Sequence, residues 1–229
     1  MHFETLTLWC ADLHAQHAFY TQTLGLTTVQ RMPGHVTFQA GRTRLTFRHA
    51  GEVQGFYHLA FDIPRNQMDS AEAWLRVRTP VLHDPQGKAR FPRSGRWTSE
   101  SVYFEDPAGN ILEFVARHDF PSDRAAAFSS TGLLHVSELG VVVPDVPATV
   151  RDLGQRFGLL PFNDCSDTFC AVGDHHGLLI VVREGRGWVP ARRPATPAPF
   201  ELTFSEADSR QVLRHSDLPV HAGAGKVHA

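Results

Sequence analysis

The sequence predicts an α+β protein of mixed, mostly antiparallel curved sheets with helices on their outer faces. Three observations carry this reading. A strand, a turn and an amphipathic helix recur in that order three times, short alternating strands follow each copy, and Gly, Asp or Pro separates those strands.

The first copy is FETLTLWCADLHAQHAFYTQTLGL. Phe3 to Trp9 alternates as a strand, Asp12 stands where an N-cap belongs, and Leu13, His17, Tyr20 and Leu24 fall near one helical face before Gly25 ends the helix. The second copy is FYHLAFDIPRNQMDSAEAWLRVR, with Phe56 to Ile63 as strand and Met68, Ala71, Trp74 and Leu75 as helix face. In the third, ELGVVVPDVPATVRDLGQRFGLL, Leu139, Val141 and Val143 alternate before Pro144, and a helix runs on to Gly158. Later strands are predicted at His35 to Ala40 and Arg44 to Arg48, at Ser101 to Glu105 and Ile111 to Ala116, and at Thr168 to Val172 and Leu178 to Val182.

WVPARRPATPAP, from Trp188 to Pro199, is too rich in proline for a central strand and reads as a connecting loop. FELTF then looks like the first strand of a fourth unit, with Glu206 to Leu213 as a shortened helix and HAGAGKVHA as a loose tail. The organisation is two complete units, one further unit and a fragment. The boundary falls in the polar, small-residue segment from Phe120 to Gly132, which divides 1–119 from 133–229.

The bulk numbers narrow the partners. The chain has 229 residues, 42% hydrophobic and 20% charged, with a formal net charge of -2 and no Lys or Arg run, which argues against nucleic acid or an anionic membrane surface. No stretch approaches the roughly 18 apolar residues of a membrane span, and a polar-alternating strand stands where a signal peptide would, so the expected location is the cytoplasm. Cys10, Cys165 and Cys170 are odd in number and lack C-x-x-C spacing; they read as small core residues. No P-loop, G-x-G-x-x-G fingerprint or Ser-His-Asp order suggests a nucleotide cofactor or a serine hydrolase.

Two segments are more specific. FYTQTLGL, after an Asp-Leu turn, and SVYFEDPAGNILEF, whose D-P-x-G-N run is strong hairpin chemistry, resemble the signatures of the vicinal-oxygen-chelate superfamily of glyoxalases, bleomycin-resistance proteins and extradiol dioxygenases. The resemblance implies βαβββ modules used in pairs, each pair forming a cup for a metal or a small molecule. On this reading 1–119 is a complete domain of modules one and two carrying the site, and 133–229 is an incomplete second domain of module three plus a truncated module four.

In metal-dependent members of the family the ligands stand on the first and last strands of each module. Side-chain alternation places Thr5 and Thr46 at those positions in unit one, with Arg44 and Arg48 on the face of Thr46, and His58 and Glu113 in unit two. An imidazole and a carboxylate suit Fe, Mn, Ni or Zn, but form an incomplete set beside the two histidines and one carboxylate of an extradiol enzyme. The resemblance implies a ring-cleaving dioxygenase or glyoxalase-like lyase, with a metal at His58 and Glu113, and Tyr103 or Arg48 orienting the substrate. Thr5, Thr46 and Trp97 complete the candidate substrate contacts, Trp97 by stacking on an aromatic ring.

Two alternatives stay open. One is a metal-free site in which His58 and Glu113 act as an acid–base pair or the cup sequesters an aromatic or anionic ligand unchanged; the other is a relic without turnover. In unit three, Glu138 stands as far before Asp145 as Thr5 does before Asp12, and Ile180 holds the last-strand position; Glu201 matches His58 in the fragment. Two carboxylates without a histidine make a poor iron site, so this half is expected to be a degenerate cover or an interface. His175 and His176 sit in a GDHHG turn and read as solvated. The unfinished fourth unit leaves a sheet edge that a homodimer would cover.

Overall fold

The computed structural model describes residues 1–219 apart from Arg96 and Asp208, so the predicted tail HAGAGKVHA lies outside the described residues. Unit one is β1 (His2–Cys10), α1 (Leu13–Ala18), a π-helical turn (Phe19–Thr23), β2 (Thr27–Met32), β3 (His35–Ala40) and β4 (Thr43–His49). Unit two is β5 (His58–Ile63), α2 (Met68–Arg76), β6 (Arg90–Phe91), β7 (Ser99–Glu105) and β8 (Ile111–Arg117). Unit three has β9 (His135–Val143), α3 (Val146–Phe157), β10 (Phe169–Asp174) and β11 (Gly177–Arg183). A strap with the short strands β12 (Gly187–Trp188) and β13 (Arg193–Pro194) leads to β14 (Phe200–Glu206) and β15 (Ser209–Arg214).

Local chemistry places the helices as the sequence predicts. The Asp12 and Asp145 carboxylates accept from the backbone N–H groups of Ala15 and Ala148, which satisfies one orphan donor at the start of α1 and of α3. Gly158 ends α3 in the left-handed conformation at φ 70°. Met68, Ala71 and Leu75 bury one face of α2. Among the described residues no helix is long and apolar enough to cross a membrane.

The two family-like motifs meet in space. Asp106 opens the β7–β8 hairpin, where its Oδ1 accepts from the backbone of Ala108 and Asn110 at 2.9 and 3.1 Å. Its Oδ2 accepts from Gln16 at 3.1 Å and from Tyr20 at 3.2 Å. Gly109 takes φ 75°, which a Cβ would strain. Asn110 Oδ1 in turn accepts from the Tyr57 backbone at 2.9 Å, and the Gln16 and Tyr20 bonds to Asp106 tie this turn of unit two to unit one.

Strand pairing departs from the expected partition. One sheet has the order β15-β14-β1-β4-β3-β2, and the other β10-β11-β9-β5-β8-β7-β6. Unit one thus pairs with the fragment, through β1 and β14, while unit two pairs with unit three, through β5 and β9. A core of helix-facing residues, among them Leu59, Phe61, Phe114, Leu139 and Val141, lies on one side of the second sheet. A smaller cluster with Ile111, Leu178, Ile180 and Trp188 lies on the other.

Two smaller expectations are corrected. Glu206 to Leu213 does not form a helix: Ala207 turns the chain at φ 47°, and β15 pairs antiparallel with β14, burying Leu213. An open strand edge supplies backbone partners that a short isolated helix would lack. Cys165 and Cys170 are not two independent core residues. A disulfide joins them across the turn into β10, with Cys165 exposed, and only Cys10 is a free buried thiol.

Candidate active site

The site follows from strand register. In the second sheet Ala60 of β5 stands opposite Glu113 of β8 on one side and Glu138 of β9 on the other. A small residue therefore separates two carboxylates on the same face, and His58, two residues back on β5, reaches between them. His58 Nε2 lies 3.5 Å from Glu113 Oε2 and 3.7 Å from Glu138 Oε2. One donor atom from each of the three falls within 4.8 Å of the others, and all three side chains are buried.

Charged neighbours fix the carboxylates. Arg117, at the end of β8, donates from Nε to Asp62 Oδ1 at 3.1 Å and from its terminal nitrogen to Glu138 Oε1. Ser137 donates to the same Asp62 oxygen at 2.6 Å. Burial raises the Glu138 carboxyl, but Arg117 and then His58 outweigh it and hold Glu138 below its usual range. Among the described residues Glu113 has no such guanidinium bond. Burial first and the Glu138 charge second push it up from 4.5 to about 7, against the pull of His58 and Ser101. Burial opposes a charged His58, yet the hydrogen bond to Glu138 and the nearby Glu113 prevail and raise it. Tyr103 stands directly across from Glu113 on β7, and burial together with both carboxylates keeps its phenol protonated.

His58, Glu113 and Glu138 line the floor of a cavity of about 510 Å³, within the size range of small-molecule sites. Its walls are largely aromatic: Phe91, Trp97, Tyr103, Phe169 and Trp188. Trp188, from the strap, stacks on His58 at 4.9 Å between ring centroids. It can do so because β9 carries glycine at 140: a Cβ there would meet the Trp188 ring at 2.9 Å and His58 Cβ at 3.0 Å. The indole N–H of Trp188 is buried without a hydrogen-bond partner among the described residues.

The structure thus gathers His58, Glu113, Tyr103 and Trp97 around one cavity. It does not bring Thr5, Thr46 or Arg48 there. Those three lie on the other sheet, where Thr46 shares a hydrogen bond with Thr37 at 2.9 Å and Arg48 is exposed. The cause is the cross-pairing: Thr5 faces out beside β14, not beside β5. Glu138 takes the third place, and the last-strand position of unit three, Ile180, is an apolar wall residue. The first-strand position assigned to Glu138 carried a signal for it, but the unit containing it pairs with unit two. Lys88, Phe169, Arg186 and Trp188 lie in loops or strands with no motif of their own.

The donor set fits a divalent cation. One imidazole and two carboxylates are borderline-to-hard ligands, and the mutual repulsion of Glu113 and Glu138 is what such an ion relieves.

No protein-family model matches this sequence, and neither does any curated protein. Solved structures do match. A protein of Bacillus subtilis subsp. subtilis, provisionally named a dioxygenase, aligns over 80% of this chain and 63% of its own, with TM-score 0.59 and 20% identity. The V278E variant of glyoxalase I from Zea mays aligns over 80% and 66%, with TM-score 0.52 and 15% identity. Glyoxalase I itself from Zea mays gives TM-score 0.50 at 14% identity over the same shares, 80% and 66%. The chain spans just under two thirds of the length of each of these proteins. Sheet topology, the repeated strand–helix unit and these likenesses agree that the chain has the vicinal-oxygen-chelate fold of glyoxalases and dioxygenases.

Proposed function

We propose that this chain is a metal-dependent enzyme acting on a small molecule through two neighbouring oxygen atoms, with Fe, Mn, Ni or Zn held by His58, Glu113 and Glu138. The observation that carries the reading is the buried convergence of those three donors, within 4.8 Å, at the floor of an aromatic-walled cavity. Three protein ligands are the number typical of catalytic rather than structural sites. A bound ion supplies Lewis-acid stabilisation of the charge that develops on substrate oxygens.

The chain's own residues divide the remaining work. Arg117 keeps Glu138 ionised and fixes its orientation. The protonated Tyr103 donates a hydrogen bond to a substrate oxygen beside Glu113, and Trp97 and Trp188 exclude water from the floor. The reaction class is ring cleavage of diphenols or glyoxalase-type conversion of hemithioacetals.

The test is elemental analysis of protein purified without an affinity tag or chelator, beside His58→Ala and Glu138→Ala variants, followed by turnover of catechols and hemithioacetals. Near-stoichiometric metal in the wild type, lost in both variants and accompanied by turnover, is expected. Wild-type protein that retains none of the four metals after reconstitution refutes the reading. The contact of His58 with Glu113 at 3.5 Å, facing the cavity, favours metal-free acid–base chemistry as the second reading. That reading predicts turnover indifferent to chelators.

A further inference from the structure

The cup of the seven-stranded sheet is walled by residues from its two opposite edges, β10 and β6. Trp97 comes from the loop between β6 and β7, and Phe162 from the segment that leads into β10. Their ring centroids nevertheless lie 5.6 Å apart. Trp97 lines the cavity, and so does Phe169, the first residue of β10. The two sides of the cup therefore meet where Trp97 touches Phe162.

The turn behind Phe162 holds that ring in place. The Phe162 N–H donates to the Ala171 carbonyl at 2.8 Å, Pro161 bridges to Val172, and the Ser166 N–H donates to the Phe169 carbonyl at 2.9 Å. The Cys165–Cys170 disulfide closes this turn across a sequence separation of 5. Its two ends differ. Cys170 is buried in β10 opposite Val181 of β11, whereas Cys165 is exposed. A thiolate from solvent therefore has one sulfur to attack while the other stays held by the sheet. Cys10 is buried on β1 of the other sheet and does not compete for either. A short loop constrains the unfolded chain less than a long one, so opening this bond acts on the turn rather than on the whole fold. Exposed disulfides are also the labile kind, whereas buried structural ones resist reduction.

We propose that Cys165 and Cys170 form a thiol–disulfide switch that sets the closure of the cup. The proposal rests on the reading of this cup as the site of chemistry and adds its regulation. In the oxidised state the bond holds the turn and keeps Phe162 against Trp97. A dithiol reverses it in two steps: one thiolate attacks Cys165 Sγ and releases Cys170 as a thiol, and the second sulfur of the reductant then displaces Cys165. Two electrons and two protons pass to the protein, and the reductant leaves as a cyclic disulfide. The freed turn lets Phe162 leave Trp97. The floor below is unchanged, because His58, Glu113 and Glu138 stand on β5, β8 and β9.

The test compares the full chain oxidised with diamide, reduced with dithiothreitol and desalted without air, and then reoxidised, beside Cys165→Ser and Trp97→Phe. Iodoacetamide labelling of the denatured protein should count one free cysteine in the oxidised state and three in the reduced state. Reduction is expected to raise acrylamide quenching of the Trp97 emission about twofold, as local opening exposes the ring. Trp97→Phe should lose that difference, Cys165→Ser should behave as reduced protein under both conditions, and reoxidation should restore the wild type. The second probe is 4-nitrocatechol, titrated into protein reconstituted with Mn2+, an ion with little affinity for thiols. It should bind about fivefold more weakly to the reduced state, the worth of one lost aromatic contact, with the same Mn2+ content in both states.

Failure of the metal reading alone would abolish Mn2+ retention in both states and leave the redox difference in Trp97 quenching. The switch is overturned if labelling still finds three free thiols after diamide. It is also overturned if labelling proves reduction while quenching and 4-nitrocatechol affinity stay as in the oxidised protein, or if Cys165→Ser matches the oxidised wild type.

Discussion

Replacing Glu113 by Gln should make the metal-free protein more stable at alkaline pH while abolishing its metal affinity. The carboxyl of Glu113 is buried beside Glu138 and rises from 4.5 to about 7 in the folded state. Below pH 4.5 it is protonated in both folded and unfolded chains and favours neither. As pH climbs from 4.5 to 7 the unfolded chain releases this proton while the folded chain retains it, so stability present at the acid end is lost progressively and stays lost above pH 7. The rise corresponds to about 3 kcal/mol, and the group is fully buried, so solvent screening does not reduce it. Glutamine keeps the shape and removes the charge. Urea unfolding of chelator-treated wild type and Glu113→Gln at pH 5 and pH 8 should show the variant ahead by about 3 kcal/mol at pH 8 and by much less at pH 5. Glu138→Gln should move the opposite way, because Arg117 and His58 hold Glu138 below its usual value, and its ionised form is the one that the fold favours. Adding a divalent ion at about a hundred times its Kd should restore about 3 kcal/mol to wild type and nothing to Glu113→Gln. A variant that gains nothing at pH 8, or a wild type whose deficit does not grow between pH 5 and pH 8, would refute the electrostatic account of the floor.

Two further substitutions probe the supports of the site. Arg117→Met leaves Asp62 and Glu138 buried without their guanidinium and should cost about 3–5 kcal/mol in urea unfolding; adding Asp62→Asn and Glu138→Gln should recover most of it, and a single-variant loss under about 1 kcal/mol would contradict the network. Gly140→Ala places a methyl 2.9 Å from the Trp188 ring and 3.0 Å from His58 Cβ, so it should cost about 1–3 kcal/mol and shift tryptophan emission to the red as the strap lifts; an unchanged spectrum and melting temperature would mean that Trp188 does not pack there.

The sequence revealed elements more readily than partners. Alternation in His35 to Ala40 gave β3 its observed bounds, and Asp12 and Gly158 marked helix ends through chemistry that acts within a few residues. The cup-facing side of each first and last strand was readable for the same reason, since a strand's period fixes its faces. Which unit lies beside which was not readable. β1 and β5 both present apolar residues to helices and polar residues to the opposite face, and nothing local distinguishes β14 from β9 as neighbour. That choice is made by long-range packing, and it moved Thr5, Thr46 and Arg48 away from the site while bringing Glu138 in. The strap was hidden differently: WVPARRPATPAP announces a loop, but only the fold shows that Trp188 stacks on His58.

Cross-pairing also explains why the chemistry sits in one cup. The two sheets offer equivalent positions: Thr5, Thr46 and Glu201 in one, and His58, Glu113, Glu138 and Ile180 in the other. In the first sheet these side chains are only partly buried, and β15 stands where the pattern of the other units would place a helix. Neutral threonine hydroxyls, that of Thr46 already bonded to Thr37, are poor ligands for a divalent ion. In the second sheet β6, β7 and the strap close the face, and the resulting burial together with the Glu138 charge raises Glu113, while Arg117 bonds Asp62 and Glu138. His58 and Glu113 precede the Phe120 to Gly132 segment and Glu138 follows it, so the three side chains meet only when both halves of the chain fold against each other. The half expected to be a degenerate cover contributes Glu138 to the floor of the site.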